Sequence, residues 1–327
     1  MSAPGVVHAG LVTFNRKDLL MECLDGVFAQ THPVEHVLLV DNASTDGTPE
    51  LLRERGWLDR PELTYVRLEE NLGGAGGFAE TVRRGREADC DWLWLMDDDS
   101  SPEPDVVATL LRAAPAGDPA TAALCPKVVY ASGELDRNQR GHFRRRLIPL
   151  PEAAYVPGTT PELGFLSFVG ALVRTRAARA EDPPKAEFFV WGDDVEYSLR
   201  LRRQGRIVLV PEATMVHKRV SQSYTNRRAR FWNRVLPVSL FPTPIERFWQ
   251  NLCGLRNYLW MKREYENQSA LSAAGTTAQF LAKHLLYDEQ PLRRLKWIVR
   301  FARDGRAGRF RNIPPRRWAE MVSRGEV

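Results

Sequence analysis

The sequence predicts an α/β fold: a mostly parallel sheet with helices on both faces, followed by a helical C-terminal region. Three observations predict it. Apolar runs of strand length alternate with helix-period segments through the first hundred or so residues. Polar or glycine-rich turns close several of those strands at their carboxyl ends, where open α/β sheets bind ligands. Beyond about residue 245 the apolar positions recur at helical spacing instead.

The first strand is expected over Val6–Phe14. A helix over Asp18–Ala29 follows, with Leu19, Leu20, Cys23, Leu24, Val27 and Phe28 on one face. Strand Val37–Val40 runs into the polar turn Asp41-Asn42-Ala43-Ser44-Thr45-Asp46-Gly47, which opens a helix through Leu51 and Leu52. Strand Leu63–Leu68 leads to Asn71-Leu72-Gly73-Gly74-Ala75-Gly76-Gly77 and a helix through Phe78 and Val82. Glycines between strand and helix can let backbone N–H groups approach a phosphate, or can simply make a tight turn. A dinucleotide fold puts its glycine motif after the first strand; here it follows the third, which argues against a nicotinamide enzyme.

The stretch Asp91–Ser100 organises the chain. Trp92–Met96 reads as a buried strand, and Asp97, Asp98 and Asp99 follow at once. Adjacent carboxylates repel, and burying them is costly unless a cation or hydrogen bonds compensate. One aspartate would serve as a helix cap ahead of Pro102 and Glu103. Three at the end of a buried strand favour a hard divalent ion, Mg²⁺ or Mn²⁺.

Further along, strands are expected over Ala123–Tyr130 and Phe165–Arg174. Between them lies a polar excursion with Arg137, Arg140, Arg144, Arg145 and Arg146, read as mobile surface whose arginines could bind phosphate or simply be solvated. Trp191-Gly192-Asp193-Asp194-Val195-Glu196-Tyr197 starts a helix to about Arg203, with Gly205 closing it. Strand Ile207–Val210 leads to His217. From Lys218 to Arg234 there are six basic residues and no acids, with Ser221 and Ser223 among them; such a segment could close over a diphosphate. Helices are expected over Ile245–Tyr265, Ala278–Tyr287 and Leu292–Arg303.

Composition limits the classes. The chain has 327 residues, 43% of them hydrophobic, ample for a packed core. No apolar run approaches the ~18–20 residues that span a bilayer, and the first residues do not read as a signal peptide. Cys23, Cys90, Cys125 and Cys253 lack metal-type spacing and read as reduced core thiols, which points to a cytoplasmic protein. The net charge is +5, yet residues 290–327 alone carry eleven Lys and Arg against three acids. That basic end, with Trp249, Trp260, Trp297 and Trp318 among the C-terminal helices, suits an anionic membrane surface, contacted peripherally. No nucleic-acid motif accompanies it.

Taken together, Val12-Thr13-Phe14-Asn15-Arg16, the Asp41–Ser44 turn, the Asn71–Gly77 loop, Asp97-Asp98-Asp99 and Phe188–Tyr197 resemble, in that order, the family 2 glycosyltransferases of GT-A fold. The combination is most similar to bacterial galactofuranosyltransferases and the related rhamnosyltransferases of cell-wall assembly. The resemblance spans about two thirds of the chain. It implies a GT-A catalytic domain over residues 1–235, and the helical periodicity and charge beyond give a basic helical region over 236–327. It implies that Thr13, Phe14, Asn15 and Arg16 hold the nucleotide, that Asp41 accepts from the base, and that Asn71 and Gly73 lie near the nucleotide or sugar. Asp97 would touch the ribose or the metal, and Asp98 would line the same nucleotide-sugar site. Asp97, Asp99 and His217 would hold Mn²⁺ or Mg²⁺. Gly170-Ala171 would pack close to the donor sugar, though a close-packed core would demand the same small residues, and Trp191 could stack on a sugar ring or pack in the core.

A transfer that inverts the anomeric centre needs a carboxylate to deprotonate the acceptor. Asp194 matches that position, with Asp193 and Glu196 in support or at the acceptor. The resemblance implies UDP-galactofuranose as donor and a polyprenyl-diphosphate-linked saccharide as acceptor. The alternatives are a rhamnosyltransferase using dTDP-rhamnose and a nucleotide-sugar-binding protein without turnover. A nucleotidyltransferase fits Asp194 and His217 poorly.

Overall fold

The computed structural model describes residues 5–144, 146–218, 226–235 and 240–327. Arg145, Arg219, Ser221 and Ser223, singled out in the sequence, lie outside the described residues. The chain forms two compact units. One holds Met1–Ala186 and Asp193–Arg219; the other holds Glu187–Gly192 and Val220–Val327.

The first unit begins β1 (Val7–Thr13), α1 (Lys17–Phe28), β2 (His36–Asp41), α2 (Thr48–Glu54), β3 (Leu63–Arg67), α3 (Gly73–Gly85) and β4 (Trp92–Asp97). Then come β5 (Ser100–Pro102), α4 (Val106–Arg112), β6 (Thr121–Tyr130), β7 (Arg140–Arg144), β8 (Arg146–Pro149), β9 (Glu162–Leu163) and β10 (Phe165–Leu166). β11 (Ala171–Arg174), α5 (Thr175–Arg179), α6 (Asp193–Leu201) and β12 (Arg206–His217) complete it. The main sheet runs β3-β2-β1-β4-β11-β6-β12-β5, with β9 on β12. β3, β2, β1 and β4 are parallel, as the strand–helix alternation predicts. β11 enters antiparallel between β4 and β6.

Why β4 reads as an unbroken apolar run is visible in its two faces. Trp92, Trp94 and Met96 pack with the buried side of α1, that is Leu20, Cys23, Leu24 and Val27. Leu93 and Leu95 point the other way, onto Phe78 and Val82 of α3 and Tyr197 and Leu201 of α6. A strand buried on both faces cannot alternate polar and apolar residues. All four cysteines are buried and unpaired by disulfide.

Two expectations need correction. The Phe165–Arg174 strand is two strands in two sheets: β10 pairs β7, while β11 joins the main sheet, and Gly170 turns the chain between them at φ +74. The arginine-rich excursion is ordered as β7 and β8 against β10. Arg140 is fully buried there. It donates to the carbonyls of Pro126, Gln139 and Val169 and to Ser167 Oγ, so it is neither solvated nor placed for phosphate.

The second unit contains α7 (Arg227–Val235), α8 (Phe248–Glu266), α9 (Ala270–Tyr287), α10 (Pro291–Ala307) and α11 (Pro315–Ser323). Its core joins Phe248, Leu252, Leu255 and Leu259 of α8 to Trp297, Ile298 and Phe301 of α10 and Trp318 of α11. Trp297 and Trp318 are therefore core residues, not the interfacial aromatics that the basic composition suggested.

Candidate active site

The register brings the acidic turns to one edge. β1 aligns Thr13 with Asp41 of β2, and Val12 with Asp97 of β4. β12 lays His217 beside Ser100. The carboxyl ends of β1, β2 and β4 thus meet the end of β12, the position where an open sheet takes its ligand.

The loop after β1 is strapped to the acid cluster. Asp98 accepts from Thr13 Oγ1 at 2.8 Å and from the Phe14 N–H at 3.2 Å. Arg16 Nη1 bridges Asp98 at 3.0 Å and Asp99 at 2.7 Å. Asn15 takes a left-handed φ of +53, donates its N–H to Ser44 Oγ and accepts from the Thr45 N–H. Asp41 is fully buried; its oxygens accept from the Ser44 N–H and the Tyr65 hydroxyl. Asn42 donates to Gly73 C=O and accepts from the Leu72 N–H, tying the β2 turn to the Asn71 loop. Asn71 Oδ1 accepts from the Gly73 N–H. The following glycines lie in the first turns of α3. A Cβ on Gly77 would stand 2.5 Å from Val12 Cγ1, so helix-on-strand packing demands glycine there.

Burial and crowding shape the charges. Burial first, then Asp99 and Asp98, push Asp97 up to about 8. Burial lifts Asp98 to about 6 against the opposing pull of Arg16. For His217 burial acts downward, but Asp136 and Asp99 outweigh it and raise the ring to about 9. Its Nε2 lies 3.5 Å from Asp99 Oδ1 and its Nδ1 3.3 Å from Asp136 Oδ2. Asp136 is pulled well below the ordinary carboxylate range despite its burial, chiefly by hydrogen bonds from His217 and Gln139.

Among the described residues no three His, Cys, Asp or Glu side chains are already arranged as ligands around one point. Arg16 and His217 pair with the acids instead. The donor set nonetheless fits a hard divalent ion, since crowded carboxylates and one imidazole suit Mn²⁺ or Mg²⁺ and a cation offsets both the burial and the repulsion that lift Asp97.

A second acidic group opens α6. Asp194 Oδ1 accepts from the Val195 N–H at 2.7 Å. Burial raises its carboxyl to about 6, with that N–H and Arg140 acting downward. Asp193 is buried and lifted well above the usual range, by burial and by Asp194. Glu196 is buried and receives Arg200 Nε at 3.0 Å and Nη2 at 2.8 Å, so it braces the helix. Ser198 Oγ donates to Asp194 C=O at 2.6 Å and accepts from the Leu166 N–H, fixing α6 against β10. In the helical unit, Trp191 is 42% exposed. Sequence reasoning missed Asn42, Tyr65 and Asp136. An asparagine or aspartate in a turn gives no signal of the strand it will reach.

A model described as glycosyl transferase family 2 matches residues 9–180. The chain belongs to that family. This glycosyltransferase is 35% identical over 216 residues to galactofuranosyltransferase GlfT1 of Mycolicibacterium smegmatis, covering 63% of the chain and 68% of that relative. It is equally identical over 206 residues to GlfT1 of Mycobacterium tuberculosis H37Rv, where the chain spans 65% of the relative's length. Among solved structures, GalNAc-T7 with UDP, GalNAc and Mn²⁺ superposes with TM-score 0.61 at 13% identity, covering 100% of the chain and 58% of that protein. Mannosyltransferase PcManGT of Pyrobaculum calidifontis, with GDP-Man and Mn²⁺, superposes with TM-score 0.53 at 20% identity over 93% of this chain and 88% of that one. These likenesses show the fold, which is GT-A.

Proposed function

We propose that this glycosyltransferase moves galactofuranose from UDP-galactofuranose to a hydroxyl of a polyprenyl-diphosphate-linked saccharide, inverting the anomeric centre. The observation that carries the donor is the 35% identity to GlfT1. The loops after β1, β2 and β3 hold the nucleotide, with Thr13, Phe14, Asn15, Arg16, Asp41, Asn71, Gly73 and Asp98 as its contacts. Asp97, Asp99 and His217 would hold Mn²⁺ or Mg²⁺, which neutralises the leaving diphosphate when bound.

Asp194 takes the acceptor hydroxyl proton. The acceptor oxygen then bonds to the anomeric carbon as the carbon–phosphate oxygen bond breaks, and UDP leaves with that electron pair. A base with pKa about 6 is ionised at neutral pH and close enough in affinity to accept a proton in the transition state. Asp193 keeps the pair electrostatically crowded, and Glu196 with Arg200 holds α6 in place.

The protein works in the cytoplasm and meets its lipid-linked acceptor at an anionic membrane surface. Contact is read as peripheral from the eleven Lys and Arg of residues 290–327; among the described residues no helix is long and apolar enough to cross a membrane.

The test is a donor screen by saturation-transfer NMR with UDP- and dTDP-sugars plus Mn²⁺, followed by a turnover assay. UDP-galactofuranose should bind and turn over. Turnover with dTDP-rhamnose alone would make the protein a rhamnosyltransferase. Binding without turnover on any acceptor would make it a nucleotide-sugar-binding protein.

A further inference from the structure

Residues 188–191 are held in a strained form. Phe189 and Trp191 have φ of +65 and +64, and Gly192 follows at +91. Residues with a Cβ avoid that region because it crowds the following carbonyl. The Val190 N–H donates to Phe188 C=O at 2.7 Å, closing a three-residue turn around Phe189. Turns of that kind with a positive central φ are rare and strained. Such strain persists only where the surroundings over-determine it, and it clusters at functional sites.

Here the surroundings are α8. Asn257 is fully buried. Its Nδ2 lies 3.0 Å from Phe188 C=O, 3.1 Å from Val190 C=O and 2.8 Å from Trp191 C=O, donating into that group of carbonyls. Its Oδ1 accepts from Arg256 Nε at 3.0 Å, which fixes the amide's orientation. Arg256, also fully buried, donates to Phe188 C=O at 3.0 Å and to Asn312 Oδ1 at 2.7 Å. Three of the four side chains then go inward. Phe188 packs on Trp260 and Phe310, Phe189 meets Trp249 edge-on, and Val190 lies against the helical core.

Trp191 is the exception. Its indole is turned outward and sits on Gly254 so closely that a Cβ there would be 2.8 Å from Cε3. A flat ring seated on bare backbone, and displayed by a strained segment, is a platform for a second apolar face. The C–H face of a sugar ring is such a surface.

We infer that Asn257, locked by Arg256, is the positioning residue that displays Trp191 as a stacking platform for a sugar ring, with Gly254 as the seat of the indole. The inference rests on the proposed sugar transfer and on the expectation from the sequence that Trp191 stacks on a sugar ring. The ring belongs to the donor or to the acceptor; the recognising chemistry is the same.

Three variants of the full-length protein separate the parts. Trp191→Ala removes the platform. Gly254→Ala lifts it. Asn257→Asp sets a carboxylate against three carbonyls. Gly254→Ala is decisive, because alanine favours the helix, so its unfolding temperature should equal or exceed that of the parent. Two quantities are read: the preference for UDP-galactofuranose over UDP by calorimetry, and KM against kcat for octyl β-D-galactofuranoside as acceptor. A donor ring moves the first and an acceptor ring the second. In Trp191→Ala one of them should worsen about three- to tenfold, and by a similar factor in the other two variants, with kcat moving less. If Trp191→Ala moves neither, the sugar-contact role fails and the inference with it. If Trp191→Ala moves one while Gly254→Ala leaves it at the parent value, the platform stands and the positioning role of α8 is overturned. Should Asn257→Asp fail to fold, Gly254→Ala decides alone.

Discussion

Asp99 and Asp194 sit in different clusters, and their charges answer to different neighbours. Asp99 is buried between Arg16 and His217. Replacing it with alanine should abolish turnover and the Mn²⁺-dependent part of UDP affinity, while circular dichroism stays native. Unchanged Mn²⁺-dependent UDP binding by calorimetry would falsify the metal assignment. Asp194→Asn keeps size but cannot take a proton, so kcat should fall by ~10²–10⁴ with donor affinity retained. The pH profile gives a second reading. With the carboxyl raised to about 6, Asp194 is protonated and inactive below that pH, so kcat/KM should climb as pH rises through about 6. Asp194→Asn should lose that limb; a surviving limb together with near-parent kcat would move the base elsewhere, whereas one on a residual rate ~10²–10⁴ lower would belong to Asp98, also raised to about 6. The Asp97–Asp99 cluster was legible in the sequence because three adjacent carboxylates after an apolar run are hard to explain as a turn, whereas Asp194 was singled out only by the family resemblance. Asn257 was not legible. Nothing in Arg256-Asn257 within a helix signals that both side chains reach carbonyls nearly seventy residues earlier.

At the level of elements, the parallel start of the sheet was readable because each strand and helix there is continuous and strongly periodic. The middle was not. Leu166 and Ala171 look like one strand, yet Arg140 draws the carbonyls of Ser167 and Val169 aside and Gly170 turns the chain between two sheets. Glycine after β3 read as a phosphate loop or a turn, whereas α3 needs it to approach β1. A buried ionic knot holds the helical unit. Asp288, fully buried, forms an ion pair with Arg294 Nη1 at 2.8 Å, accepts from the Thr243 N–H at 2.8 Å and pairs with His284. Removing one member leaves its partners buried without compensation. Asp288→Asn should therefore destabilise this unit by about 3–5 kcal/mol, seen as a lower urea midpoint for the fluorescence transition of its tryptophans. A shift under about 1 kcal/mol would mean that water already reaches the knot.

On the scale of the molecule, charge is segregated toward the chain's end. Of the eleven Lys and Arg in residues 290–327, all but Arg294 are exposed. α10 divides its residues between two tasks. Trp297, Ile298 and Phe301 fill the helical core, while Leu292 (80% exposed) and Leu295 (39%) face outward beside Arg293, Lys296 and Arg303. Each basic residue near an anionic bilayer contributes ~1 kcal/mol, screened beyond ~10 Å at 0.1 M salt. Half a dozen engaged charges with two inserted leucines would hold the protein to a surface, and high salt would release it. Truncation before α10 is a poor test, because it removes Trp297, Ile298 and Phe301 from the core and confounds binding with folding. Exposed positions give a clean one. Leu292→Asp with Leu295→Asp, and separately Arg293→Glu with Lys296→Glu and Arg303→Glu, should leave the thermal midpoint in place. The parent should co-sediment with phosphatidylglycerol vesicles at low salt and be released at high salt; both variants should stay largely in the supernatant. Transfer to a lipid-linked acceptor should drop in the variants more than transfer to a short soluble one, since the proposed catalytic groups lie upstream of α7. Parent and variants sedimenting alike would leave this basic face without a membrane role.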